Sequence, residues 1–326
     1  MDIKLVIPHK RHEALALDYI NEFKLHQSTV HGSGGLDRYE SYDEFLEKLK
    51  ADLDYEHILP GRVPANTYFL MDVKETKIIG MINIRHQLND YLLRVGGHIG
   101  YSIRPTERLK GYGSQMLLLG LACCKKLKLE KVMVTCDKDN EGSRRVILNN
   151  GGLFENEVVD DGGYVERYWI NVNDSLQKNL LYVKGTMDHL SDLTRLAIKL
   201  WPSHTFDDLY PEFVDLINDS RAALFLVKIN KIAIGFAQCQ LRFDYVEGTS
   251  SSPVGYLEGI YVDHDYRFLG IGKALVKLCE AWAKTKGACE FASDIEMDNE
   301  ESYQFHQKLN FIEQNRIICF AKKIER

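Results

Sequence analysis

Arg267-Phe268-Leu269-Gly270-Ile271-Gly272-Lys273 decides how this chain is read, because an equivalent stretch occurs earlier: Arg108-Leu109-Lys110-Gly111-Tyr112-Gly113. The two arginines and both pairs of glycines are offset by the same 159 positions (267 − 108, 270 − 111, 272 − 113). Further on, Asn140-Glu-Gly-Ser143 and Asn299-Glu-Glu-Ser302 keep that register. Two motifs in one ungapped register predict an internal repeat. A chain of 326 residues has room for two domains of about 150 residues each. We place them at 1–172 and 179–326, joined by a polar hinge at Asn173-Asp-Ser-Leu-Gln-Lys178.

Working outward from the glycines, each half gives the same order of elements. In the first, Ala16, Tyr19, Ile20 and Phe23 mark one helical face, and Tyr42, Phe45, Leu46, Leu49 and Leu53 another. Strands are expected at 67–73, 78–85 and 98–103, then a helix after Gly113, a strand at 131–137, a short helix from Ser143, and strands near Phe154 and at 164–172. In the second half, Leu190, Leu193, Leu196, Ala197 and Leu200 form a helical stripe that stops before Pro202. Leu209, Phe213, Leu216 and Ile217 mark a second helix. Residues 223–229 and 232–241 read as a hairpin turning at Asn230-Lys231. A strand at 256–262, a helix at 272–285, a strand at 290–295, a helix at 300–309 and a last strand at 317–323 complete it. The expected class is α/β, with a mixed sheet flanked by helices in each half.

A strand, then R-x-x-G-x-G, then a helix gathers unpaired backbone N–H groups around one point. The helix N-terminus adds partial positive charge there. Glycine lets the backbone adopt the required dihedrals and approach a phosphate closely. A Walker loop would need Gly where Arg267 stands, and Ser or Thr where Ala274 follows Lys273. A dinucleotide fingerprint would need a small residue where Leu275 stands. An ordinary tight turn remains the other reading of one such motif taken alone.

With its matched downstream Asn, the pattern resembles the GNAT superfamily of N-acetyltransferases, once per half. The resemblance implies a centrally splayed sheet. It also implies acetyl-CoA as co-substrate, its pyrophosphate cradled by Arg267, Phe268, Leu269, Gly270, Ile271, Gly272 and Lys273. Ile260 and Val262 would offer a strand edge to pantetheine, with Asn299 and Ser302 beside it. Arg108, Gly111, Gly113, Asn140 and Ser143 would do the same in the first half. The second half also carries Leu200-Trp-Pro-Ser-His204, Arg242-Phe-Asp-Tyr-Val-Glu-Gly248, Ser251-Ser-Pro253, Leu257-Glu-Gly-Ile260, Ala292-Ser-Asp294 and His306-Gln-Lys-Leu-Asn-Phe311 in order. Together these resemble the aminoglycoside 6'-N-acetyltransferases.

Acetyl transfer to an amine needs the amine neutral at attack, an acceptor for its proton, N–H donors for the developing oxyanion, and a donor for the departing thiolate. It needs no metal, and we expect none. Glu258 and Asp294, read as lying at neighbouring strand ends, can hold an ammonium and relay its proton; solvated strand ends or helix caps are their alternative. The resemblance assigns Trp201, His204 and Tyr245 to the sugar site, though Trp201 also suits a core position and Tyr245 an exposed loop. It makes His306 a candidate donor to the thiolate, where a packed helical histidine is equally natural. Ile147 takes the matching place in the first half, which has no aminoglycoside signature. Phe320 and Asn315 depart from the resemblance, which implies a tyrosine and an acid at these places.

Net charge is −6, with no run of Lys and Arg to suit nucleic acid. Seven cysteines show no C-x-x-C or metal-ligand spacing, and we expect buried reduced thiols. No apolar run approaches the ~20 residues that span a bilayer. A cytoplasmic enzyme is expected, acting on an aminoglycoside or another small cationic amine. The repeat suggests a monomer with an internal pseudo-dimer, or a homodimer. Acetylation of a different amine or a protein lysine, and a CoA-binding regulatory module, are the rival functions.

Overall fold

The computed structural model describes residues 3–56, 58, 60–160, 163–318, 320 and 322. The chain divides into two compact units, Met1–Asn179 and Leu180–Arg326. No helix among the described residues is long and apolar enough to cross a membrane.

Unit 1 runs β1 (Ile3–Val6), α1 (Glu13–Leu25), α2 (Tyr42–Ala51), β2 (Ala65–Asp72), β3 (Ile78–Arg85), β4 (Ile99–Ile103), α3 (Tyr112–Lys126), β5 (Lys131–Asp137), α4 (Glu141–Asn149), β6 (Leu153–Asp160), β7 (Gly163–Asn171) and α5 (Val172–Lys178). Its sheet has the order β1-β2-β3-β4-β5-β7-β6. All neighbours are antiparallel except β4 and β5, which run parallel and pair only at Ile99 and Val134. The helical periodicity of α1 is satisfied against the sheet: Ala16, Tyr19, Ile20 and Phe23 are buried, with Tyr42, Phe45, Phe69 and Met81 in the same cluster. Leu53, expected on the face of α2, lies past its end and is exposed.

Unit 2 runs β8 (Leu180–Lys184), α6 (Leu190–Leu200), α7 (Phe206–Asn218), β9 (Ala222–Ile229), β10 (Ile232–Arg242), β11 (Val254–Val262), α8 (Ile271–Thr285), β12 (Phe291–Ser293) and α9 (Glu300–Lys308). Its sheet has the order β12-β11-β10-β9-β8. The β9–β10 hairpin turns where expected, with Asn230 and Lys231 both at positive φ, as a two-residue turn with the right twist requires. Leu193, Leu196, Leu209 and Phe213 bury against Leu224, Leu226 and Phe236. Thr205 caps α7, and Asp208 returns the bond to its backbone, a reciprocal arrangement that satisfies two otherwise orphaned donors.

Three expectations are corrected. The hinge at 173–178 is helix α5, which packs against α3 and buries Val172, Ser175 and Leu176, so it belongs to unit 1. Asn171 caps it, and the amphipathic pair Val172 and Leu176 at i and i+4 explains why a polar-looking stretch is not a linker. The strand at 317–323 is absent at 317, 318, 320 and 322; residues 319, 321 and 323 lie outside the described residues. The cysteines are not uniformly buried: Cys289 is exposed and Cys123 partly so, while Cys124, Cys136, Cys239 and Cys279 are buried and all six are free thiols. Cys319 lies outside the described residues.

Candidate active site

The glycine turn has the same backbone in both units. Phe268 and Gly270 have φ of 65° and 76°; their counterparts Leu109 and Gly111 have 62° and 81°. Such a run turns successive N–H groups toward one side. Gly270 is the N-cap of α8 and Gly111 that of α3, and neither helix start has a side-chain cap. The N–H groups of each first turn are therefore left for something else. A Cβ built on Gly270 meets nothing within 4 Å, so the turn faces open space. The residues fit a phosphate-bearing ligand.

Two of the cradle glycines also have a packing role. A Cβ on Gly272 would come 2.7 Å from the Phe305 ring, and one on Gly113 would come 2.8 Å from Val146. These glycines let α8 and α9, or α3 and α4, touch. Arg267 Nε donates to Val262 O at 3.2 Å, and its guanidinium pairs with Glu301. Arg108 makes the same strut to Ile103 O. The arginine ties the turn to the end of the preceding strand. Phe268 and Lys273 are exposed, while Leu269 and Ile271 are buried.

Asn299 and Asn140 are the N-caps of α9 and α4, each accepting from the serine N–H three residues on at 3.0 Å. The repeated N-x-x-S is thus a pair of helix caps. Their serines differ: in unit 1 the Tyr101 hydroxyl lies 2.9 Å from Ser143 Oγ, where unit 2 has Ile260.

In unit 2, β11 and β12 pair from Gly255/Phe291 to Leu257/Ser293 and then part. Ser293 Oγ donates to Leu257 O at 3.1 Å at the point of parting. Beyond it, the β11 edge carrying Ile260 and Val262 has no described strand on that side. Asp294 is the first residue past β12. Glu258 is not at a strand end: it is mid-strand, at a register shift where Gln238 pairs with Gly259 but Cys239 with Leu257. That β-bulge leaves Glu258 unpaired and re-aims its side chain.

The two carboxylates are joined through residues that sequence reasoning missed. Arg242, the last residue of β10, donates from Nε and Nη2 to Glu258 Oε1 and Oε2 at 3.1 and 2.8 Å. Its guanidinium carbon lies 3.2 Å from the centroid of the Tyr256 ring. The Tyr256 hydroxyl donates to Asp294 Oδ1 at 2.6 Å. Burial, reinforced by the Asp294 carboxylate, pushes the Tyr256 phenol up and keeps it protonated. The only signal for this network was the alternation along β11, which puts Tyr256 and Glu258 on one face.

The remaining candidates divide. Trp201 sits over Gly259, the residue after Glu258 in β11, where a Cβ would come 2.6 Å from its ring, and it meets Phe236 edge-on. His204 is exposed and bonds only locally, its Nδ1 being 3.2 Å from Ser203 Oγ. Tyr245 is 81% exposed and its hydroxyl donates to Glu247. His306 Nδ1 lies 2.7 Å from Ser302 O, so its proton is on that nitrogen. Nε2 is buried without a hydrogen-bond partner, and the ring lies edge-on to Phe305 and Phe311. A neutral His306 therefore presents an acceptor at Nε2; donation from there requires the imidazolium.

Unit 1 lacks this equipment. Its β3 and β4 pair without a shift from Gly80/Ile103 to Ile84/Ile99, so no bulged residue matches Glu258. Val134 matches Ser293, so Thr135 stands where Asp294 does, and its hydroxyl is spent on Val95 O at 2.8 Å.

Comparison with known proteins agrees with the architecture. The model of the acetyltransferase (GNAT) family matches residues 187–311, and that of the acetyltransferase (GNAT) domain matches residues 21–152. Aminoglycoside N(6')-acetyltransferase type 1 of Acinetobacter baumannii is 41% identical over 137 residues, covering 41% of this chain and 92% of that protein. The enzyme of the same name from Salmonella typhimurium is 37% identical over 135 residues, covering 41% and 93%. A solved structure of aminoglycoside N-acetyltransferase AAC(6')-Iy in complex with CoA shares 34% identity, covering 44% of this chain and 95% of that one, with a TM-score of 0.44. The chain belongs to the GNAT acetyltransferases, and carries two domains of that family.

Proposed function

We propose that unit 2 transfers the acetyl group of acetyl-CoA to the 6'-amine of aminoglycosides, by direct attack of the amine, and so confers resistance to these antibiotics. One observation carries the reading: two carboxylates, Glu258 and Asp294, are held at the mouth of the gap between β11 and β12, linked by hydrogen bonds to Arg242 and Tyr256 and by the stacking of Arg242 on the Tyr256 ring. The names of the relatives support the substrate class. Acetyl-CoA supplies an activated thioester. The turn from Arg267 to Lys273 and the N-terminus of α8 hold its pyrophosphate, and the open edge at Ile260 and Val262 holds its pantetheine, with Asn299 and Ser302 near it. Glu258 and Asp294 hold the ammonium and take one proton from it, which frees the nitrogen lone pair to attack the thioester carbonyl; a second proton leaves the nitrogen to water as the C–S bond breaks. Trp201, His204 and Tyr245 line the sugar side, and charged His306 returns a proton to the thiolate. Purified protein should acetylate kanamycin-type substrates at the 6'-amine and leave 6'-hydroxyl analogues unmodified at that position. Mass spectrometry and NMR of the product decide it, and acetylation of another ring amine would refute the assignment.

For unit 1 we infer CoA binding through Arg108, Gly111, Gly113, Asn140 and Ser143 without amine acetylation, in the role of a pseudo-subunit. Thr135 in place of Asp294 and the missing bulge favour it. Gly111→Asp should therefore leave kanamycin turnover within about twofold of wild type, provided circular dichroism shows a folded protein. A large loss of turnover would give unit 1 a part in the reaction.

A further inference from the structure

Both oxygens of Glu258 are already engaged by a cation. The fork of Arg242 meets them in the bidentate geometry that makes Arg–carboxylate pairs strong and directional. Its flat face rests on Tyr256, the residue that holds Asp294. A guanidinium thus stands between the two carboxylates proposed to receive a substrate ammonium. The side chains differ in access: that of Arg242 is 42% exposed and that of Glu258 20%. Arg242 has solvent to swing into, whereas Glu258 is held at its bulge. Once Arg242 leaves, a half-buried carboxylate remains uncompensated, a state that costs free energy until another cation arrives.

We propose that Arg242 is a positioning and selectivity residue: it fills the ammonium seat at Glu258 in the empty enzyme and gives it up only to a polycationic substrate. The inference rests on the assignment of unit 2 as an aminoglycoside acetyltransferase. A small monoamine offers one charge in exchange for a bidentate pair and a ring contact, and does not displace Arg242. A polyamine can place a further ammonium at Asp294, and does displace it. Arg242 therefore raises the charge a ligand must carry to bind measurably, and raises the apparent Kd at this seat by the inverse of the fraction of time it leaves the seat free.

The test is calorimetry with kanamycin, and with glucosamine as a monoamine probe, on wild type, Arg242→Met and Arg242→Lys. In Arg242→Met, kanamycin Kd should tighten about fivefold or more, and glucosamine should become a measurable ligand. Acetyl-CoA Kd should not move. Arg242→Lys, which keeps the charge but loses the fork, should fall between. In steady state the change should appear in KM, with kcat little altered. Unchanged or weaker kanamycin binding in Arg242→Met overturns the proposal and makes Arg242 a clamp or a substrate ligand. If both variants fail to fold, 15N NMR of wild type decides: the Arg242 Nε–H should be protected in the free protein and lose protection with saturating kanamycin. Retained protection overturns the idea. Wild type that binds no kanamycin at all overturns the parent assignment, and this inference with it.

Discussion

Gly270→Asp is expected to weaken acetyl-CoA binding to unit 2 by about 100-fold or more, equivalent to ~2.7 kcal/mol. Gly270 has φ of 76°, in the left-handed region that costs other residues roughly 1 kcal/mol. Its Cβ direction is open, so no neighbouring atom rejects a side chain there and the backbone strain is the only cost to the fold. The loss is therefore expected from the ligand: a carboxylate would occupy the space in which the proposed site seats a pyrophosphate at the uncapped start of α8. Gly270→Asn separates the causes. Asn and Asp both tolerate the left-handed region and match in size, so the difference between them reports charge. We expect Asn to lose about tenfold, and Asp to lose a further tenfold. Calorimetry in Gly111→Asp background removes any contribution from unit 1. Wild-type affinity in folded Gly270→Asp would remove the turn from the cofactor site.

The left-handed turn at Gly270 was legible in the sequence because glycine spacing reports backbone dihedrals directly. Phe268 and Leu109, both at positive φ, repeat the turn's shape in each unit although their side chains differ. The role of Gly272 was not visible. It depends on Phe305, 33 residues on (305 − 272), and the turn alone does not show that α9 crosses there. The same holds for Glu258. Its acid was legible, but the bulge that isolates it exists only in the register of β10 against β11. Arg242 was quoted within a motif, yet its partnership with Glu258 depends on that register. The short strands Ile3–Val6 and Leu180–Lys184 were missed because a four- or five-residue edge strand carries too little alternation to stand out. Helix α5 was missed for a different reason: polar composition dominated a two-residue apolar stripe that only packing on α3 reveals.

Asp294→Asn is the sharpest test of the chemistry in unit 2. Asp294 is exposed to solvent at the end of β12 and accepts the Tyr256 hydroxyl through Oδ1. An Asn carbonyl oxygen can accept that same hydrogen bond, so the substitution keeps size and tether and removes the charge. We expect kcat/KM for kanamycin to fall on the order of tenfold or more, equivalent to ~1.4 kcal/mol of transition-state stabilisation. Acetyl-CoA affinity should be unchanged, because its proposed cradle starts at Arg267. Tyr256→Phe, which leaves the charge but frees it to move, should cost less. Glu258→Gln should give a defect of similar size, although a Gln still offers Arg242 one acceptor oxygen. The cycle of Asp294→Asn with Glu258→Gln then asks whether the two acids act together. If both hold one ammonium and share its proton, the double variant loses less than the sum of the single losses. The measurement is kcat/KM across pH for the four proteins, with circular dichroism to confirm folding. Strict additivity would assign the acids to separate tasks. Wild-type kinetics in Asp294→Asn would leave Glu258, acting through water, as the proton acceptor.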